Sequence, residues 1–234
     1  MPTKLYEREE WIYPKYKTDL FLIGECIKKM ERGYSPIILI CGKQRSGKSF
    51  IALWVAYRIL KFYKKKLEPK NNVFFDPLKA MEDLENAEKE PFIIDEAGAL
   101  LGAREWWSKF NIAFDKVIQT QAYKCNCYIF VLPFATDLDK IFRKHVDFQI
   151  LMRKRGYFSV FEFIKKYGEM KKDSRAYKRI LKENIVVRKK LLPEELWKEY
   201  EGMVMGLKEV IRQREVDKIH TLKTKETWQP FNRR

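Results

Sequence analysis

An α/β chain built on a mostly parallel sheet is the fold this sequence predicts, and three observations predict it. An apolar, β-branched run at 37–41 leads into residues 42–49, which fit G-x-x-x-x-G-K-[ST], and apolar residues at helical spacing follow from Phe50 to Leu60. Strand, glycine loop and helix in that order are the context this motif requires. A second apolar run, 91–94, ends in Asp95 and Glu96. Further strand-like runs at 127–132 and 147–152 alternate with helical stretches, which implies parallel strands joined by right-handed crossovers.

The glycine loop carries the first chemistry. Gly42 lets the chain turn sharply off the strand, and Gly47 leaves room for a phosphate against the backbone. The backbone N–H groups of Lys43, Gln44, Arg45, Ser46, Gly47, Lys48 and Ser49 are expected to cradle phosphate oxygens, with the positive end of the helix behind them. Lys48 is expected to neutralise those oxygens and the Ser49 hydroxyl to ligate Mg²⁺. The pair at the end of 91–94 is the second element. Carboxylates at the carboxyl end of a parallel strand lie where open α/β sheets bind ligands. Asp95 would hold the Mg²⁺ shell, and Glu96 would orient and deprotonate an attacking water. The Asp-Glu pair favours hydrolysis of ATP over phosphoryl transfer to a small molecule.

Around these motifs the sequence predicts an aromatic strap over 1–17 and a helix over 18–31. A short strand falls at 73–75, and a helix over 78–89 starts at Asp76-Pro77. The stretch 97–126 reads as helical, interrupted between Gly98 and Gly102. Thr136 opens a short capped helix. A turn at Gly156 joins the strand at 147–152 to an aromatic strand at 157–163, an antiparallel pair at the edge of the sheet. Pro193 starts a last helix that runs to about Ile219, followed by a tail from Thr221 with no core pattern. The expected divisions are 1–34, a strap and helix; 35–170, the α/β core; and 171–234, a basic helical extension.

Charge points to the partners. Lys plus Arg total 48 against 32 Asp plus Glu, a net charge of +16. Between Lys140 and Lys190 there are 17 basic and 5 acidic residues, so +12 of the surplus lies there. A surplus of this kind favours polyanions, nucleic acid before an anionic membrane surface. The densest groups are Arg153, Lys154 and Arg155 beside Gly156, and Arg188, Lys189 and Lys190 ahead of the last helix. The four cysteines, Cys26, Cys41, Cys125 and Cys127, have no C-x-x-C spacing, so buried thiols in a reducing cytoplasm are expected rather than zinc. Residues 1–10 are polar and charged, and no long apolar run exists, so neither a secretory leader nor a membrane span is expected.

Taken together, residues 42–49, 93–97, 119–126, 127–133 and 138–143 resemble the HerA–FtsK superfamily of P-loop ATPases. The likeness is to the compact versions in archaeal viruses and plasmids and to the zonular-occludens-toxin-like phage assembly ATPases, and it covers roughly residues 34–165. It implies a RecA-like sheet with a sensor strand between the strands of the two motifs. It also implies a hexameric ring with ATP at subunit interfaces and double-stranded DNA moved through a basic pore. This chain departs from the family at two places. The family's γ-phosphate-sensing Gln falls at Pro133, which cannot serve, and Thr136 is its nearest substitute. The family's Arg finger, placed just before the sensor strand, falls nearest Lys124. Arg143 is the first alternative and Arg104 the second, because a guanidinium is the better planar partner for phosphate. The function so implied is ATP-driven translocation or packaging of duplex DNA for a virus or mobile element. The competing expectation is an assembly ATPase that works on a membrane or viral coat protein and never grips DNA.

Overall fold

The computed structural model describes residues 17–76, 87–95, 114, 120–137, 142–155, 157–163, 177–179 and 192–226. The strands are β1 (Ile37–Gly42), β2 (Val73–Phe74), β3 (Pro91–Asp95), β4 (Cys127–Leu132), β5 (Phe148–Lys154), β6 (Tyr157–Phe163) and β7 (Tyr177–Arg179). The helices are α1 (Lys17–Glu31), α2 (Lys48–Phe62), α3 (Pro69–Asn72) and α4 (Glu194–Glu226). The strands form one sheet in the order β2-β3-β4-β1-β5-β6-β7. Pairing is parallel from β2 through β5 and antiparallel for β5–β6 and β6–β7. The chain is thus α/β with a mostly parallel sheet, and β4 lies between β1 and β3, where the family resemblance places its sensor strand.

The central strands are apolar on both faces, as burial under layers on each side demands. Register sorts their side chains. Ile38 aligns with Ile129 on one neighbour and Phe148 on the other, so these share a face. Helix α2 packs across β1, β3 and β4, and α1 packs against α2. On the opposite face Ile37, Leu39 and Cys41 join Phe92, Ile94, Tyr128 and Phe130 in one buried cluster. Phe114 seals that cluster from the stretch predicted to be helical. Its ring stands edge-on to Tyr128 at 5.0 Å and to Phe130 at 5.2 Å between centroids. Edge-to-face packing of this kind contributes beyond the area buried.

Side chains tie the amino ends of the strands together. Asp147, just ahead of β5, accepts the Ile37 N–H through Oδ2 (2.9 Å) and the Lys29 ammonium through Oδ1 (3.0 Å). Its own N–H donates to the Ile37 carbonyl (2.9 Å). Burial works against the charge on Lys29, but Asp147 more than offsets it and holds the lysine pKa above its usual value. Asn126, fully buried, accepts the Glu90 N–H and donates to the Ala87 carbonyl, which fixes the start of β3 beside that of β4. Asn72 donates to the Pro91 carbonyl and so anchors α3 to β3.

Residues 193–234 form a second compact unit. Its helix starts directly after Pro193, has Glu194 and Glu195 in its first turn, and stacks Trp197 against Tyr200 (5.4 Å).

Several sequence expectations change here. The extension drawn at 171–234 is not wholly helical: β7 within it pairs with β6, so the sheet runs past residue 170. The compact units divide at Leu192 and Pro193 instead. The last helix continues to Glu226 rather than ending near Ile219. Short α3 is absent from the sequence reading, although Pro69 at its first position is a start signal. The predicted helix over 78–89 and most of 97–119 lie outside the described residues. All four cysteines are buried thiols. No described helix is long and apolar enough to cross a membrane.

Candidate functional site

The loop between β1 and α2 is shaped by two glycines that are needed for different reasons. Gly42, at the end of β1, has φ +150°. A Cβ there would lie 2.6 Å from Met152 Cβ and 2.8 Å from the Met152 carbonyl on neighbouring β5. Gly47 caps α2 in the left-handed region at φ +92°, where a Cβ would meet only the Met152 methyl at an ordinary 3.9 Å and the backbone angle is what requires glycine. Between them Arg45 also has positive φ (61°). A non-glycine residue there costs about 1–2 kcal/mol. Positive-φ residues are what a backbone nest uses to turn N–H groups towards an anion; within this loop the Ser46 N–H donates to the Lys43 carbonyl (3.3 Å). At the start of α2 the first N–H groups have no partner within the helix.

Lys48 closes this concavity. Its Nζ donates to the Gly42 carbonyl and to the Lys43 carbonyl, both at 3.0 Å. The ammonium is thereby held over the loop. Ser46 is turned inward at 5% exposure, and its Oγ is buried with no hydrogen-bond partner. Such an orphaned hydroxyl costs about 1–3 kcal/mol. Lys43, Gln44 and Arg45 are exposed; Ser49 is half-buried in the first turn of α2.

Asp95 ends β3 and is fully buried. Register puts it opposite Val131 of β4, itself opposite Ile40 of β1, so Asp95 belongs to the face covered by α2. Both the loop and Asp95 stand at the carboxyl ends of parallel strands, two strand positions apart. Glu96, the next residue, lies outside the described residues. Pro133 follows β4, and its carbonyl accepts the Gly42 N–H (3.1 Å). Pro133 thus pins the start of the loop through its backbone. Thr136 is exposed in the turn Ala135–Asp137 just beyond.

Of the candidate finger residues, Lys124 and Arg143 are described. Lys124 is at the amino end of the sheet, where its carbonyl accepts the Lys89 N–H. Its ammonium lies 5.9 Å from the Tyr123 ring centre. Arg143 sits in the turn Phe142–Lys144, four residues before Asp147, with a buried Nε that lacks a hydrogen-bond partner. Arg104 lies outside the described residues, as do Arg188, Lys189 and Lys190.

Arg153, Lys154 and Arg155 are described and exposed. Because Gly42 is in register with Met152, this tip begins one residue beyond the glycine loop, at the same end of the sheet. Arg153 is the extra residue of a bulge: Met152 pairs with Phe158 and Lys154 with Tyr157. Its Nε donates to Ser159 Oγ (3.2 Å), and the Lys154 ammonium lies 4.3 Å from the Tyr157 ring centre. Sequence alone marked these cations but not their nearness to the loop.

Among the described residues no cluster of three or more His, Cys, Asp or Glu side chains is placed to hold a metal. The donors nearest to that role are one hydroxyl, Ser49, and one carboxylate, Asp95. Two protein oxygens suit Mg²⁺, which keeps most of its waters and takes the rest of its shell from substrate phosphates.

Gly42 offers a direct test of the loop geometry. Gly42→Ala is expected to lower the urea midpoint, since overpacking between adjacent backbones costs about 1–3 kcal/mol, and to weaken binding of a fluorescent ATP analogue. Gly47→Ala, with space available, should cost only the angular strain. Equal melting of Gly42→Ala and wild type would refute the close approach of β1 and β5.

No protein-family model matches the chain, and no curated protein matches it significantly.

Proposed function

We propose that this chain is a Mg²⁺-dependent ATPase with a RecA-like core that moves or packages double-stranded DNA. The observation that carries the reading is Lys48, held by two loop carbonyls over a glycine-hinged concavity at the carboxyl end of β1. The buried carboxylate of Asp95 ends a strand of the same sheet on the same face.

In this reading the loop amides and Lys48 bind and orient the β- and γ-phosphates. Ser49 and Asp95 would hold Mg²⁺, which neutralises charge that develops on the phosphate oxygens. Glu96 takes a proton from the attacking water and fixes its line of approach. Arg143 is the first candidate to supply an arginine finger across a ring interface, ahead of Arg104 and Lys124. A hexameric ring is the assembly this arrangement suits.

The DNA assignment rests on the basic surplus and on the exposed Arg153–Arg155 tip at the loop's end of the sheet. A motor should grip backbone rather than sequence, since phosphate contacts carry no base information. Phosphate release with and without duplex DNA tests the whole reading. Duplex of any sequence is expected to stimulate hydrolysis. Neutralising Arg153, Lys154 and Arg155 together should remove that stimulation and flatten the salt dependence, where log K falls by about 0.9 per phosphate neutralised. Stimulation by anionic vesicles or coat protein, with none by DNA at any salt, would replace the motor with an assembly ATPase.

A further inference from the structure

The nucleotide loop and the basic hairpin share one side chain, Met152. It is 3% exposed, and it sits two residues from Lys154 and three from Arg155. A Cβ at Gly42 would collide with Met152 Cβ and its carbonyl, so the β1 backbone lies directly against this residue. The Met152 methyl reaches on to Gly47, where a Cβ would be 3.9 Å from Met152 Cε. Met152 therefore lies against the first glycine of the loop, and its methyl approaches the glycine that starts α2. Gly42 is also held from the other side by the Pro133 carbonyl.

The bulge falls at the same place. Arg153 is inserted between the paired residues Met152 and Lys154, and its guanidinium is tethered to Ser159, which is 1% exposed. Bulges bend the strand that carries them and re-aim the side chains beyond the bend. Below the bulge β5 is clamped on the loop; above it lie exposed cations. Of the two strands that carry the tip, β5 and β6, only β5 lies beside β1, and it presents Met152 to the loop.

We propose that phosphate backbone of duplex DNA gripped by the hairpin tip alters the nucleotide affinity of the loop through Met152, which acts as the positioning residue between the two. The proposal rests on the reading of the loop as an ATP site. The unbranched thioether suits the task, since methionine follows a moving neighbour more readily than a branched side chain. Coupling of this kind is reciprocal: the factor by which DNA changes ATP affinity is the factor by which ATP changes DNA affinity.

The test titrates the wild-type chain with a fluorescent ATP analogue and Mg²⁺, in the absence and presence of a short blunt duplex. The duplex is expected to change the analogue's Kd by about fivefold or more, the lower end of usual coupling. In Met152→Ala the two Kd values should converge, while a labelled duplex still binds with the wild-type salt slope. Amide hydrogen exchange of residues 42–49 in the wild-type chain gives the same answer without a substitution, so a variant that misfolds does not block the test. Exchange there should change on adding duplex. Unchanged exchange, a coupling factor of one in wild type, or full coupling retained in Met152→Ala would each overturn the proposal. A chain that binds duplex but no ATP analogue would instead refute the nucleotide reading beneath it. If anionic vesicles change the exchange and duplex does not, the partner is lipid and the assignment to DNA is overturned.

Discussion

Lys48→Ala is expected to lose ATP binding while the fold survives. The side chain is half-buried, and its ammonium bonds the Gly42 and Lys43 carbonyls of the loop. The bond to the Lys43 carbonyl is exposed and the one to Gly42 only part-buried, so stability should change little. Binding is a different matter. Lys48 is the cation already held over the concavity, and hydrogen bonds to charged groups contribute about 1.5–3 kcal/mol each. Loss of one such bond corresponds to about 10–150-fold in Kd, and contacts to two phosphates multiply it. Lys48→Met, which keeps most of the stem, should lose affinity nearly as far; that result separates lost charge from lost packing. Titration of a fluorescent ATP analogue with Mg²⁺ gives the number, and urea midpoints give the control. Wild-type affinity in both variants would remove the loop from the nucleotide reading.

Glu96→Gln is expected to bind ATP as wild type does and to stop turning it over. Gln keeps the size and the hydrogen-bonding reach of Glu but cannot accept a proton at neutral pH. General-base catalysis contributes about 10²–10⁴-fold to rate, so phosphate release should fall by that order. Asp95, one residue earlier and fully buried at the end of β3, should behave otherwise. Asp95→Asn removes charge from the expected Mg²⁺ shell and should raise the Mg²⁺ concentration needed for tight ATP binding. The two neighbours are thus distinguishable by what each loses. Hydrolysis by Glu96→Gln at the wild-type rate would show that another group activates the water.

How much of this was written in the sequence depends on how local each feature is. The run 37–41, the glycine motif and the helical spacing after Phe50 specify β1, the loop and α2 within one continuous stretch, because a glycine hinge and an apolar period act on near neighbours. Apolar runs likewise marked β3, β4, β5 and β6 within a residue or two. Other features were out of reach for a definite reason. A basic stretch of few turn signals concealed β7, whose existence depends on an edge offered by β6. Pro133 read as the loss of a sensing side chain; its carbonyl bond to Gly42 becomes visible only when β4 lies beside β1.

By itself, then, the sequence determined the α/β class, the order of the strands from β1 to β6 and the stretch of the candidate cradle, all of which derive from periodicity and from residues adjacent in the chain. Tertiary structure alone decided the places of β2, β5 and β7 in the sheet, the anchoring of β1 by Asp147 from 110 residues away, and the seating of Met152 against Gly42. Parallel strands are joined by long crossovers, and an apolar strand pairs equally well by pattern with any other apolar strand. Only the packing of both faces at once selects the neighbours, and with them the residues that meet at the carboxyl end of the sheet.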